Sequence, residues 1–277
     1  MCNHKRPLQA QDKGWSSCLD CGCFLPFSKN TPVRLPKYYY NPSIHPQTIL
    51  NYYIEQTQFK PYLPPTYLKH RKRWVENLVD MGECLKAKPL TIQIAVYLFD
   101  RVNSLKNIKS KTQELLAAGT LKVAIKFEEE LSDTRLNSKK LKKVEMDILK
   151  TLDWKVNVIT PFHFVEFYNA QGVVFSSDTL NSSKKLEKAV EYVKRYSEVF
   201  AELVLLHDQF LVYSVPNLGA SCIAAARKAV GFKLVWNPEL QELTKFSFEK
   251  LCCNKIWEVY RKLFLESMYS SGVPKLM

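Results

Sequence analysis

Apolar residues recur every three or four positions from residue 46 almost to the C-terminus, which is the spacing of amphipathic and buried helices. No alternating strand pattern or hairpin signal competes with it. In the first half, the spacing predicts a helix over residues 46–56 and further helices over 66–85, 89–105, 111–129, 137–152 and 160–168. In the second half, it predicts a helix over 185–206, two helices that open near Ser214 and Asn237, and a last one from Ser247 to Leu265.

Small residues are concentrated in the helix that opens near Ser214, which contains Gly219, Ala220 and an alanine run from Ala224 to Ala226. Small side chains let neighbouring helices approach closely, so we expect this helix to lie inside a bundle. The residues 174–184, rich in Ser and Asn, predict a loop. The pattern therefore predicts an all-α protein of two tandem helical bundles, and a fold alone does not define a function.

The first 45 residues lack helical periodicity and contain five prolines, which predicts an irregular tail. Cys18, Cys21 and Cys23 lie in this tail, with Cys2 and His4 before them. A Cys-x-x-Cys pair is half of a zinc site, but a second pair at a suitable spacing is missing. Reduced thiols are therefore favoured over a metal site.

The formal net charge of +13 suggests acidic partners, nucleic acid or an anionic membrane. The lysines are scattered and are not interleaved with an aromatic nucleic-acid motif, so they favour solvated helix surfaces and argue against nucleic acid. No apolar stretch has the length of a membrane helix, and the N-terminus lacks the apolar region of a signal peptide. We expect no membrane association and a location in the nucleus or cytoplasm.

No catalytic motif is recognisable in the chain: a phosphate-binding loop, His-Glu-x-x-His and Gly-x-Ser-x-Gly are all missing from the sequence. The five histidines are scattered. We therefore expect a protein that is not an enzyme and has no catalytic residues, metal or cofactor.

Four segments carry more specific patterns, and together they resemble the cyclin family. They read Arg-Lys-Arg-Trp-Val-Glu-Asn-Leu-Val-Asp from Arg71, Ile-Ala-Val-Tyr-Leu-Phe-Asp-Arg from Ile94, Ala-Ile-Lys-Phe-Glu-Glu from Ala124, and Glu-Met-Asp-Ile-Leu-Lys-Thr-Leu-Asp-Trp from Glu145. The family's marker positions are filled, in order, by Arg71, Asp100, Leu115, Lys126 and Glu145. The second half resembles the C-terminal cyclin fold more weakly, through Pro-Asn-Leu-Gly-Ala from Pro216.

The resemblance implies two tandem five-helix cyclin folds. An irregular tail over residues 1–45 would precede a cyclin box over 46–159, with its preceding helix, and a C-terminal cyclin fold over 160–268. It also implies a non-catalytic subunit that forms a heterodimer with a cyclin-dependent serine/threonine kinase, activates it and regulates cell-cycle progression. The alternative is a cyclin-fold adaptor or transcription factor that binds protein or DNA without activating a kinase.

The resemblance also assigns roles to residues. Lys126 and Glu145 would hydrogen-bond the backbone of the kinase's regulatory helix. The apolar part of that kinase-binding face would be formed by Phe127, Leu149, Trp154 and Val156. Arg71, Asp100 and Leu115 would be structural, with Arg71 paired to Asp100 between the first two helices of the box.

Two features depart from the family pattern. Many cyclins bind Arg-x-Leu motifs through an apolar patch on the first helix, whose positions here are His70, Arg73, Trp74 and Asn77. With one large apolar anchor kept, at Trp74, we expect poor Arg-x-Leu binding. The segment between Lys126 and Glu145 is also short for the family, so we expect a shortened fourth helix in the first bundle.

Overall fold

The computed structural model describes residues 9–11, 15–17, 24–26, 62–129, 138–181 and 186–270. The helix predicted over 46–56, the tail cysteines with His4, and most of the segment predicted to hold the shortened fourth helix lie outside these residues. The described part contains nine α-helices: α1 Pro65–Cys84, α2 Pro89–Leu105, α3 Gln113–Glu128, α4 Lys139–Thr151, α5 Pro161–Gln171, α6 Leu186–Leu206, α7 Val215–Val230, α8 Pro238–Thr244 and α9 Cys253–Ser270. The predicted all-α fold with two bundles is confirmed.

Prolines and side-chain caps set several helix starts. Pro65 and Pro89 occupy the first turns of α1 and α2, where a missing backbone N–H costs nothing. Ser138 and Asn237 cap α4 and α8, each accepting the backbone N–H three residues later at 3.2 and 3.0 Å. The sequence predicts the cap of α4 one residue earlier, at Asn137, because both residue types favour this position.

Three short strands lie in the N-terminal tail: β1 Gln9–Gln11, β2 Trp15–Ser17 and β3 Phe24–Pro26. They pair antiparallel in the order β1-β2-β3, with Gln9 opposite Ser17 and Trp15 opposite Pro26. The prediction of an irregular tail does not include these strands. Runs of three residues are too short to display the alternation by which a strand is recognised.

The helices form two compact bundles. The described residues of the first bundle lie within Gln47–His163 and Glu202–Val215, and those of the second lie within Met1–Pro46, Phe164–Ala201 and Pro216–Met277. In the first bundle, α2 and α3 are enclosed by their neighbours, and α3 is buried continuously from Gly119 to Ile125. A helix that is buried on all sides needs apolar or small residues all round, as α2 and most of α3 have.

In the second bundle, α7 is the enclosed helix and is buried continuously from Asn217 to Arg227. The Arg227 guanidinium is fully buried and forms two 2.8 Å bonds to the Asp178 carboxylate. It also donates to the backbone oxygens of Val173 and Leu234 and lies 4.1 Å from the Phe232 ring centre. The second bundle is therefore organised around a buried ion pair that the sequence patterns do not predict.

No described helix is both long enough and apolar enough to cross a membrane. Among the described residues, no three His, Cys, Asp or Glu side chains are grouped as metal ligands would be.

Candidate protein-binding site

Two lysines hold one glutamate where α3 meets α4. Lys126 Nζ lies 2.5 Å from Glu145 Oε1, and Lys122 Nζ lies 2.8 Å from Glu145 Oε2. The Lys126 side chain is 57% exposed, whereas those of Glu145 and Lys122 are 13% and 7% exposed. We call these three residues the Lys-Glu-Lys cluster. It joins a solvent-facing lysine to a shielded carboxylate and a buried second lysine.

Charge on the lysines stabilises the ionised form of Glu145. Burial alone would raise the pKa of the Glu145 carboxyl, but the hydrogen bonds and charges of Lys122 and Lys126 outweigh it, so the pKa lies below its usual value. The carboxylate is therefore charged at neutral pH.

Gly119 allows α3 and α4 to approach closely enough for the cluster to form. A Cβ atom at Gly119 would lie 2.7 Å from Val144 Cγ1 and 2.8 Å from Ile148 Cδ1. Both contacts are shorter than carbon atoms tolerate, and the β-branched Val144 cannot easily rotate away. Gly119 lies one turn before Lys122, and Val144 directly precedes Glu145, so this close approach brings Glu145 to both lysines.

We expect Gly119→Ala to lower the free energy of unfolding by about 1 to 3 kcal/mol, because the added methyl overpacks the α3–α4 contact. Helix propensity alone predicts the opposite sign, since Ala is favoured over Gly by about 1 kcal/mol. Urea denaturation distinguishes the two. Ala118→Val, at the partly exposed neighbouring position, is the control and should change stability by less. A stabilised Gly119→Ala variant would contradict the close approach of α3 and α4.

Large apolar side chains next to the cluster in sequence are exposed. The Phe127 residue, which follows Lys126, is 45% exposed, and Trp154, which follows the end of α4, is 62% exposed. Met146, directly after Glu145, is also exposed. Leu149 and Val156 are half-buried and pack against the core of the first bundle. Of the predicted apolar residues, Phe127 and Trp154 are thus the ones that solvent reaches most.

The turn after α4 holds Trp154 in an uncommon backbone conformation. Asp153 and Trp154 have φ angles of 51° and 58°, in the left-handed region that favours glycine. The Trp154 N–H donates to the Leu149 oxygen at 2.8 Å and the Asp153 N–H donates to the Lys150 oxygen at 3.3 Å, which is the Schellman pattern of a helix end. Strained non-glycine backbone of this kind concentrates at functional sites.

Glu129, at the end of α3, accepts hydrogen bonds from the start of α2. Its buried Oε1 accepts the Thr91 hydroxyl at 2.6 Å and the Lys88 backbone N–H at 2.7 Å. An anionic side chain at a helix N-terminus also interacts favourably with the helix dipole. Glu129 therefore fixes the helix end that carries Lys126 and Phe127.

Arg71 and Asp100, predicted as a pair between the first two helices of the box, form that pair in the structure. Arg71 Nη2 and Nε lie 2.8 and 3.0 Å from the Asp100 carboxylate, and the Tyr67 hydroxyl donates to it at 2.7 Å. Arg71 Nη1 donates to the Leu205 oxygen at 3.1 Å. Burial alone would lower the pKa of Arg71, but Asp100 outweighs it and the pKa is raised. The pair links α1, α2 and the last turn of α6.

Leu115, predicted to be a structural residue, is only partly buried. The buried leucine of this turn is its neighbour Leu116, which belongs to the core of the first bundle. Leu115 shares a face of α3 with Ala118, Lys122 and Lys126, at spacings of three and four residues. That face turns towards α4 and solvent, so the Leu115 side chain contributes less to the core than that of Leu116.

Lys122 and Met146 are the residues of this site that the sequence patterns do not predict. A lysine within an apolar helix suggests a solvent-facing position, and only the close approach of α4 places a carboxylate beside it. Met146 lies between two charged residues and resembles an incidental surface residue. The one available signal is that Lys122 lies four residues before Lys126, on the same helix face.

Comparison with known proteins places the whole helical region in one family. The model of the cyclin N-terminal domain matches residues 47–157, and that of the cyclin C-terminal domain matches residues 159–269. The chain belongs to the cyclin family, as its motifs indicate. The predicted domain boundaries at 45/46 and 159/160 stay predictions.

Similar proteins include Cyclin-J of Xenopus laevis, 27% identical over 72% of this chain and 58% of that protein. The Cyclin-J-like protein of Mus musculus is 26% identical over 66% of this chain and 53% of that protein, and Cyclin-B1-3 of Arabidopsis thaliana is 28% identical over 68% and 44%. The chain spans about half the length of these curated relatives.

Among solved structures, a chain of the yeast RNA Pol II CTD kinase CTDK-1 complex superposes with a TM-score of 0.50. It is 14% identical, and the match covers 79% of this chain and 71% of that one. At this identity the likeness concerns the fold.

Proposed function

We propose that this cyclin binds a cyclin-dependent serine/threonine kinase through the Lys-Glu-Lys cluster, Phe127 and Trp154, activates it and thereby regulates cell-cycle progression. The observation that carries the proposal is the position of Lys126. Its ammonium group is solvent-facing while its partner carboxylate is shielded, and large apolar side chains that solvent reaches flank both residues in sequence. Aromatic residues and Met are enriched at the centre of protein interfaces, and a charged group that such residues shield from water makes a stronger hydrogen bond.

The second lysine supports this role. When Lys126 turns towards a backbone oxygen of the kinase, Glu145 keeps its 2.8 Å bond to Lys122. If Lys126 were the only counter-ion of Glu145, its departure would leave a shielded carboxylate unpaired, which is costly. With Lys122 in place, Lys126 can exchange one partner for another at low cost. Glu145 can in turn accept a backbone N–H, since a carboxylate has several acceptor sites.

Leu149 and Val156 have a supporting role in this proposal. Both are half-buried on the core, so they stabilise the α4 end and the turn from which Trp154 projects. Trp154 and Phe127 contribute most of the apolar area that a partner would cover, and aromatic anchors commonly dominate the binding energy of an interface.

The cyclin acts in this proposal as a non-catalytic subunit. It activates the kinase because it binds the active conformation better than the inactive one, which shifts the population towards the active state. All catalytic residues belong to the kinase in this proposal.

Affinity purification of the full chain from cells tests the proposal. The expected result is a serine/threonine kinase recovered at equal stoichiometry, with kinase activity that depends on the cyclin. Recovery of the chain without a kinase, together with DNA binding that weakens steeply with salt, would support the alternative of an adaptor or transcription factor, to which the net charge of +13 is favourable.

A further inference from the structure

A pocket of about 290 Å³ opens on the first bundle between α1 and the segment that leads into α3. His70, Arg73 and Trp74 line it from α1, and Ser110, Lys111 and Glu114 line it from the other side. It occupies the surface where the sequence predicts poor Arg-x-Leu binding. The structure thus shows a concave polar site in place of an apolar patch.

Trp74 is the apolar wall of this pocket. The indole is almost entirely buried in the core of the first bundle, and the Arg73 guanidinium carbon lies 5.5 Å from its ring centre. A cation over an aromatic face is held there electrostatically. A contact of this kind uses no N–H group, so the guanidinium donors of Arg73 remain available to a ligand.

Among the residues that the structure describes, the charged groups of the pocket have no oppositely charged partner. In the part of the chain that the structure describes, Arg73, Lys111 and Glu114 form no ion pair and no side-chain hydrogen bond. All three are exposed, as is His70. Unpaired charges that converge on a concavity are available to a ligand.

The net charge of the pocket residues indicates which class of ligand fits the pocket. Arg73 and Lys111 contribute two positive charges and Glu114 one negative charge, so these three residues give the pocket a net charge of +1. A single carboxylate neutralises this charge, whereas a phosphate dianion would leave the occupied site with a net charge of −1. A carboxylate also suits the planar guanidinium of Arg73, which can bind both of its oxygens.

We propose that this pocket binds one Asp or Glu side chain of an acidic peptide segment in a partner protein. Its preference is the reverse of an Arg-x-Leu site, which takes a basic residue. The overall charge of +13 would steer such segments to the surface. Glu114 and Lys126 lie twelve residues apart near opposite ends of α3, or about 18 Å along the helix. The pocket can therefore be tested without a kinase, and its failure would not touch the proposed function.

Fluorescence anisotropy with the full chain tests the proposal. The probe is labelled Gly-Asp-Glu-Leu-Asp-Gly, and its reference is the amide analogue Gly-Asn-Gln-Leu-Asn-Gly. We expect the acidic probe to bind at least about tenfold more tightly than the amide analogue and to weaken as salt rises, because the contacts are exposed and ionic. Equal binding of the two peptides, or binding of neither, would overturn the proposal.

Substitutions of pocket residues test whether the acidic probe binds in the pocket. The double variant R73E/K111E should lose at least about tenfold in affinity, and Glu114→Gln should bind the acidic probe more tightly because a repelling charge is gone. The double variant K142E/K143E, at two exposed lysines of α4 outside the pocket, makes the same charge change and should have little effect. Equal losses in R73E/K111E and K142E/K143E would show a diffuse field and not a pocket, and weaker binding by Glu114→Gln would contradict the charge balance.

Two further peptides test the ligand class. A phosphoserine version of the probe that binds more tightly than the Asp version would contradict the preference for a carboxylate. An Arg-x-Leu peptide that binds more tightly than the acidic probe would contradict the reversed preference.

Discussion

Glu145→Ala should lower the free energy of unfolding by about 2 to 4 kcal/mol, although Glu145 belongs to a surface proposed for partner binding. The reason is Lys122, whose side chain is 7% exposed and bonds Glu145 Oε2 at 2.8 Å. Without the carboxylate this ammonium group would be buried with no counter-ion, since Lys126 is itself positive. Urea denaturation of the isolated chain measures the effect.

Two variants separate this cause from a general loss of packing. Lys126→Ala leaves Glu145 bonded to Lys122 and should stay within about 0.5 kcal/mol of the wild type. In the double variant K122M/E145A the orphaned charge is removed as well, so most of the lost stability should return. A Glu145→Ala variant as stable as Lys126→Ala would show that Lys122 is not dependent on the pair.

The stability that the Lys122–Glu145 pair contributes should depend on pH. The pKa of Glu145 is lowered in the folded chain, so its contribution to stability is complete above the unfolded value of about 4.3 and disappears as the pH falls through the folded value. The stability difference between the wild type and Glu145→Ala should therefore narrow below about pH 4.

Asp100→Ala should destabilise the first bundle by about 3 to 5 kcal/mol, the cost of breaking a buried ion pair by removing one partner. Arg71 is almost completely buried, and the Asp100 carboxylate accepts from its Nε and Nη2 and from the Tyr67 hydroxyl. Without the carboxylate, the Arg71 guanidinium loses its counter-ion and the Tyr67 hydroxyl loses its hydrogen-bond acceptor. Thermal and urea unfolding both report the loss.

Glu76→Ala is the matched control for this variant, because it also removes a carboxylate that is paired with α1. Lys72 and Glu76 are exposed and 3.8 Å apart, so the pair should contribute little and the variant should change stability by less than about 0.5 kcal/mol. If Asp100→Ala were as stable as Glu76→Ala, Arg71 would not depend on Asp100.

Periodicity predicts the helices well where it is strong. The predicted segment 89–105 coincides with α2, and the starts of α1, α4 and α6 differ from the predictions by one or two residues. The last helix is less accurate. Ser247 precedes a short 3-10 turn, Phe248–Lys250, and α9 begins at Cys253. A capping residue suits both kinds of turn, so its presence cannot distinguish them.

Long-range pairs depend on information that a periodic pattern lacks. The family motifs place Lys126 with Glu145 and Arg71 with Asp100. The bond between Lys122 and Glu145 depends on how closely α4 approaches Gly119, which no local pattern encodes. Asp178, the buried partner of Arg227, lies in a segment rich in Ser and Asn that indicates a solvated loop.

Which side of α3 is buried is a third feature that the sequence pattern does not predict. Leu115 and Leu116 are adjacent leucines, and both suit a core position by composition. The structure buries Leu116 because α3 is enclosed on most sides and its remaining open face runs through Leu115 and Lys126. For a helix that is apolar nearly all round, periodicity contains little information about which side is open.

The most direct test of the kinase-binding surface is the affinity of Lys126→Ala and Trp154→Ala for the kinase that co-purifies with the chain. Each variant should lose about 30-fold or more in affinity, because polar groups of the kinase would be buried unpaired or an aromatic anchor would be missing. Leu234→Ala, an exposed apolar residue of the second bundle, serves as control and should bind like the wild type.

The melting temperature of each isolated variant is measured alongside, by calorimetry. Both side chains are exposed, so the account predicts melting temperatures within about 2 °C of the wild type together with lost binding and lost kinase activation. If Lys126→Ala and Trp154→Ala both bind and activate the kinase within about threefold of the wild type, the kinase-binding surface lies elsewhere on the chain.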